Sequence, residues 1–217
     1  MTKEKGRTPR AANVCEAKTG ARGSTEVMPI VMFLGRNVKE YEKKSEEIIN
    51  QQISSGGIQC DQCLLPMARH SCYERRIKET GDQITITMVW CRGCNNWHSL
   101  QPDFLLPRKH YSGNEIESVI IDSATEPAKL IDTAASESTI RRWIRYVNER
   151  IRQAVGVLKY LFGRAGQAVN EVTVVPGAAY SELEQILELA PHSVNTSGNK
   201  LGLANIWLGT NTVPIYI

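Results

Sequence analysis

Two cysteine pairs, Cys60 and Cys63 in CDQC and Cys91 and Cys94 in CRGC, have the spacing in this sequence that most directly specifies a chemistry. A CxxC turn presents two thiolates on one side, and two such turns supply the four sulfurs that tetrahedral Zn²⁺ takes at about 2.3 Å. The interval between the pairs has the length of a β-hairpin. ITITMVW at 84–90 alternates Ile84, Ile86, Met88 and Trp90 against Thr85, Thr87 and Val89, Gly81 and Asp82 supply a turn, and SCYERRIKE is the partner strand. Such a hairpin returns the second turn to the first. The pattern therefore predicts a zinc ribbon with Cys60, Cys63, Cys91 and Cys94 as ligands and Zn²⁺ as a structural cofactor. Four thiolates leave no open position for water, which argues against catalytic zinc. A dithiol redox couple would need one CxxC only, and these spacings are less typical of an iron–sulfur cluster. His98 offers a substitute ligand, while Cys15 and Cys72 are expected to stand aside. Gly93 suits the second turn if the backbone there adopts a conformation that a Cβ would crowd. Metal binding is expected to supply folding energy to a hairpin with too little core of its own.

The second constellation is a set of arginines. In ASESTIRRWIRYVNERIRQAVGVLKYLF, residues 135–162, an apolar stripe of Ile140, Trp143, Ile144, Val147, Ile151, Ala154, Leu158 and Leu161 holds helical spacing for about six turns. Arg141, Arg145, Asn148 and Arg152 fall off that stripe. Ser136 is a natural N-cap. TEPAKLIDTAA just upstream reads as a short helix, so the pair matches a helix-turn-helix with Glu137 to Trp143 entering first. On that reading Ser138, Thr139, Arg141, Arg142 and Arg145 face base edges, and Arg108, Lys109 and Arg152 meet phosphates. The rival reading is a surface helix with a solvated charged face.

The elements that must position these groups come from the rest of the chain. The 217 residues carry a formal net charge of +3 with 41% hydrophobic content, enough for real cores, but the charge is uneven. Residues 137–164 hold seven Lys and Arg against Glu137 and Glu149, whereas 112–136 and 165–217 are acidic. Residues 1–27 lack large apolar residues and read as a disordered basic leader. A domain start at Met28 follows, with a strand in MPIVMFLG and an amphipathic helix ending at SSGG, so 28–111 form a strand-helix and zinc-ribbon unit. PDFLLPRKHYS reads as an extended linker, 112–164 as the helix-turn-helix region, and 165–217 as a small α/β segment with a strand at VTVV and a helix at YSELEQILELA. The expected fold class is α+β. No apolar run long enough for a membrane span and no secretory signal are seen, which points to a cytoplasmic, reducing compartment.

The order of CxxC, a hairpin containing SCYERR, WCRGCNNWHSLQPDFLLPRKHYS and then STIRRW resembles zinc-ribbon plus helix-turn-helix proteins of bacteria related to the N-terminal region of insertion-sequence transposases. The resemblance covers about residues 28–162 and implies DNA binding near the nucleoid, in a mobile-element or regulatory setting. It implies no catalysis, and the residues agree. Glu171, Glu182, Glu184 and Glu188 read as a solvated acidic face rather than a two-metal carboxylate site, and no phosphate loop, HExxH or GxSxG sequence is present. The expected partner is double-stranded DNA, with a second copy of the chain left open and no small-molecule substrate. Two rivals remain: a protein-docking module of a larger complex, and the DNA-targeting fragment of a transposase.

Overall fold

The computed structural model describes residues 28–125, 132–167, 169, 179–190, 196, 198–211 and 217; the leader at 1–27 and the expected strand at 172–175 lie outside them. The apolar run MPIVM forms strand β1 (Met28–Met32), and a turn at Gly35, φ 132°, leads into helix α1 (Val38–Ser54). A Cβ on Gly35 would stand 2.7 Å from the Tyr41 amide nitrogen, so this turn requires glycine. Asn37 caps α1 by accepting from the Glu40 amide, and the helix buries Tyr41, Ser45 and Ile49.

The hairpin is formed by β2 (Ala68–Arg76) and β3 (Gln83–Trp90), and a further strand, β4 (Trp97–Pro102), continues the sheet. The order is β1-β4-β3-β2, with β1 parallel to β4 and the other pairs antiparallel. The ribbon is thus built into a four-stranded sheet rather than standing alone. The Tyr41 hydroxyl of α1 donates to the Thr85 carbonyl at 2.6 Å, and its ring meets Phe104 edge-on. The expected alternation along β3 holds only at its start. Ile84 and Ile86 are buried, but Val89 then enters the core while Met88 and Trp90 stay half-buried. The change falls where β2 bulges between Arg69 and Ser71 and where β4 begins to pair at Thr87, so the second half of β3 is a central strand with added twist.

The stretch expected as a linker is instead the joint of the molecule. Gln101 to Pro107 are buried without interruption; Phe104 and Leu105 join the sheet core, and Leu106 joins the helical core. Proline punctuation correctly signals an irregular backbone, but buried irregular backbone needs partners. They are present. The Asp103 amide donates to the Met32 carbonyl, the Gly113 amide to the Phe104 carbonyl, and the Arg75 guanidinium to the carbonyls of Leu106 and Lys109.

Helices α2 (Gly113–Thr125), α3 (Glu137–Arg164), α4 (Ala179–Glu188) and α5 (Lys200–Thr210) share one core. The C-terminal helices therefore complete the helical lobe instead of forming a segment apart. Glu117 of α2 is buried where it accepts from the Tyr180 hydroxyl of α4 and, at 2.7 Å, from the Lys200 amide opening α5. Burial holds its carboxyl above the usual range, opposed by those hydrogen bonds. Asn199 caps α5 and also donates to the Asp103 carbonyl, which seats α5 on the joint; a Cβ on Gly202 would lie 2.2 Å from that carbonyl oxygen. Glu182, expected in a solvated acidic face, pairs with Lys159 of α3 at 2.5 Å in a largely covered position.

The expected helix over TEPAKLIDTAA lies mostly outside the described residues, and its described end, 132–136, is not helical. Thr133 turns its hydroxyl onto Glu115 of α2 and accepts from the Ala135 amide, a local arrangement that competes with helix. Among the described residues, α2 packs on α3 in the shared helical core. The sheet and helices together make the α+β architecture, and among the described residues no helix is long and apolar enough to cross a membrane.

Candidate metal centre and candidate nucleic-acid interface

The two CxxC turns fold as near copies of each other. In the first, the Leu64 amide donates to the Cys60 carbonyl and the Cys60 amide to the Leu65 carbonyl; in the second, Asn95 donates to Cys91 and Cys91 to Asn96, all at 2.9–3.0 Å. The residue after each second cysteine is left-handed, Leu64 at φ 57° and Asn95 at φ 60°. Trp90 Nε1 donates to Asn95 Oδ1 at 2.8 Å, and the Asn96 amide group bridges to Gln62 Oε1 at 2.7 Å, holding the turns together.

All four sulfurs converge. Cys60 Sγ lies 3.3 Å from Cys94 Sγ and Cys63 Sγ 3.2 Å from Cys91 Sγ, and every ligand atom of the four lies within 4.8 Å of the others. A zinc tetrathiolate has edges of about 3.8 Å, given Zn–S bonds of about 2.3 Å, so a small expansion admits a metal ion. Backbone amides, the Cys94 amide first, pull the Cys91 thiol down to about 6. Burial, then the neighbouring Cys60 thiol, pushes Cys94 up to about 12. An ion that displaces those protons replaces four mutually awkward thiols with thiolates. These four cysteines could hold a metal ion. Gly93 is needed for space rather than for an unusual φ: a Cβ there would stand 3.2 Å from Cys63 Sγ and 2.5 Å from Leu65 Cδ1. His98 is buried beside the cluster, its Nε2 3.7 Å from Asp61 Oδ1, and forms a second close group with Cys60 and Asp61. Cys72 is on β2 opposite Thr87 and is not among these four.

The expected DNA-contacting residues lie at the other end of the hairpin. The ladder pairs Ala68 with Trp90 near the metal centre and Arg76 with Gln83 at the tip, roughly 23 Å away across the eight residues of β3. Along α3, Trp143, Val147, Ile151, Ala154, Val155, Leu158 and Phe162 are buried, while Ser138, Arg141, Arg142, Arg145 and Arg152 are exposed and Thr139 is half-buried. Ser136 begins the helix through its carbonyl, which accepts from the Thr139 and Ile140 amides; its hydroxyl meets those of Ser138 and Thr139 and caps no amide. Arg141 pairs with Glu137 one turn away, both highly exposed, an attachment that yields easily.

Arg108 and Lys109 stand in the joint, and sequence reasoning missed what surrounds them. Arg108 is exposed on left-handed backbone, φ 59°. Lys109 Nζ sits 3.6 Å over the ring of Tyr146, and Arg150 stands 5.3 Å from the same ring centre. Partial burial, then Arg142 and Arg150, pulls the Lys109 ammonium down to about 8. Lys78 N donates to the His110 carbonyl and the Ser112 amide to Glu79, so the hairpin tip clamps this loop. The spacing of Arg142, Tyr146 and Arg150 by four was readable along the chain. The approach of Lys109 to them was not.

The sequence model of a family described as a domain of unknown function (DUF6431) matches residues 60–143, from Cys60 of the first CxxC turn to the first buried residue of α3. The matched span takes in the metal centre, the joint and α2. No curated protein and no solved structure matches the chain.

Proposed function

We propose that this protein binds double-stranded DNA through α3, with a structural Zn²⁺ at Cys60, Cys63, Cys91 and Cys94, as a bacterial targeting or regulatory factor related to transposase N-terminal regions and without a catalytic site of its own. One observation carries the reading: α3 is buried along Trp143, Val147 and Ile151 and turns Arg141, Arg142, Arg145 and Arg152 to solvent. A helix of this kind fits a major groove, where Arg pairs bidentately with guanine. Among the described residues, α3 is supported by α2 and the joint.

A fluorescence-anisotropy titration of the full chain on random and genomic duplexes tests the proposal. Affinity should fall steeply from roughly 50 to 200 mM salt through counterion release. Arg141→Ala with Arg145→Ala should cost about 1–3 kcal/mol per lost base contact on a preferred site and less on random DNA. Binding that is absent or indifferent to salt would replace this reading with a protein-docking one, which Leu64 and Leu65 favour: they are 65% and 49% exposed beside the metal centre. Metal analysis should find one zinc per chain, and iron with visible absorbance would overturn the zinc assignment.

A further inference from the structure

Where the two lobes meet, two cations lie against one aromatic ring, and a third, Arg142, stands one helical turn away. Lys109 Nζ and Arg150 Cζ lie 3.6 and 5.3 Å from the Tyr146 ring centre. Arg142 and Arg150 are one turn to either side of Tyr146 on a single ridge of α3, and both act electrostatically on Lys109. Among the described residues no carboxylate pairs with any of the three; Glu137 serves Arg141 and Glu182 serves Lys159. Lys109 is partly stripped of water beside two like charges, a repulsion that an anion joining the three would relieve.

Lys109 is also held in place. Arg75 donates to Gln101 Oε1 at 3.0 Å and to the carbonyls of Leu106 and Lys109, while Lys78 and Glu79 bind the backbone at His110 and Ser112. The loop therefore brings an ammonium to a fixed point over α3. Arg141, Arg145, Asn148 and Arg152 occupy a second ridge, turned about 100° around the helix from Arg142, at 3.6 residues per turn.

We propose that Lys109, Arg142 and Arg150, set around Tyr146, form a phosphate clamp that grips the backbone of a nucleic acid, with Arg75 as the residue that positions Lys109. This rests on the DNA-binding reading and divides its labour. Arg142 becomes a backbone contact, and the ridge of Arg141 and Arg145 is left to read bases. Arg142 is exposed on the same helix as Arg141, Arg145 and Arg152, so a phosphodiester chain can meet both ridges where a free phosphate would meet one.

The test uses the full chain and a duplex titrated across salt. Arg150→Gln, Arg142→Gln and Lys109→Gln should each weaken all sequences alike and flatten the slope of log K against log salt by about one unit, leaving sequence preference unchanged. Arg75→Gln should flatten it by the same amount, and the Arg75→Gln, Lys109→Gln double variant should be no flatter than either single. Additive loss would make Arg75 merely structural, and Lys109→Gln with unchanged circular dichroism keeps the clamp testable if Arg75→Gln fails to fold. Inorganic pyrophosphate, followed by amide chemical shifts, supplies the second arm. A parent that binds DNA with an Arg142→Gln, Arg150→Gln slope equal to its own overturns the clamp and spares the DNA reading. A parent that ignores DNA while pyrophosphate shifts residues 109, 142 and 150 keeps the phosphate site and removes the DNA reading. Neither response overturns both.

Discussion

Leu64 and Asn95 occupy the same place in two matching turns, yet only one is a residue suited to it. Left-handed backbone costs an ordinary L-residue roughly 1–2 kcal/mol, and asparagine is among the few that relieve this cost by local hydrogen bonding. Leu64 is 65% exposed, so its side chain recovers little by burial. Leu64→Asn should therefore stabilise the protein by about 0.5–1 kcal/mol, read as a higher urea midpoint at unchanged m-value and unchanged metal content. A lower midpoint would mean that the exposed leucine contributes more to the first turn than its accessibility suggests.

At the scale of elements, α3 buries Trp143 and exposes Arg142 only one position apart. Trp143 is 2% exposed and meets Tyr111 edge-on at 4.8 Å, fastening the start of α3 to the joint. Trp143→Ala should cost about 3–5 kcal/mol in urea unfolding by opening a cavity there, and it should weaken DNA binding only as far as it unfolds the helix. Its exposed neighbour is the control. Arg142→Ala should leave stability within about 0.5 kcal/mol while lowering affinity. A Trp143→Ala protein of parental stability would show that α3 is held by its later turns alone.

At the scale of the molecule there are two cores, one under the sheet and one among α2 to α5, joined by residues 102–112 and by α5 seated on the joint. The metal centre belongs to the first. The hairpin, expected to have too little core of its own, shares one with α1, β1 and β4. Chelation should raise hydrogen exchange at the metal end of the ladder, around Ala68, Arg69, Val89 and Trp90, while the amides of α2 to α5 keep their protection. Loss of protection in both lobes together would show that they unfold as one cooperative unit.

The sequence alone determined the features that depend on local spacing. The two CxxC turns place four sulfurs by short-range geometry, the hairpin between them follows from its turn and β-formers, and the expected stripe of α3 is buried at Trp143, Val147, Ile151, Ala154 and Leu158, while Ile140, Ile144 and Leu161 stay half-buried and Val155 and Phe162 join the core. Tertiary structure decided whatever depends on partners distant in the chain. β4 pairs with its neighbour β3 on one side and with β1, some seventy residues earlier, on the other, and WHSLQP carries little alternation that would announce the second pairing. Phe104, Leu105 and Leu106 looked like a linker because prolines flank them, and became a joint because Arg75 and the Asn199 cap satisfy the buried backbone around them. Lys109, finally, reaches Tyr146 only because the hairpin tip holds its loop against α3; periodicity along one segment contains no information about which loop another segment will meet.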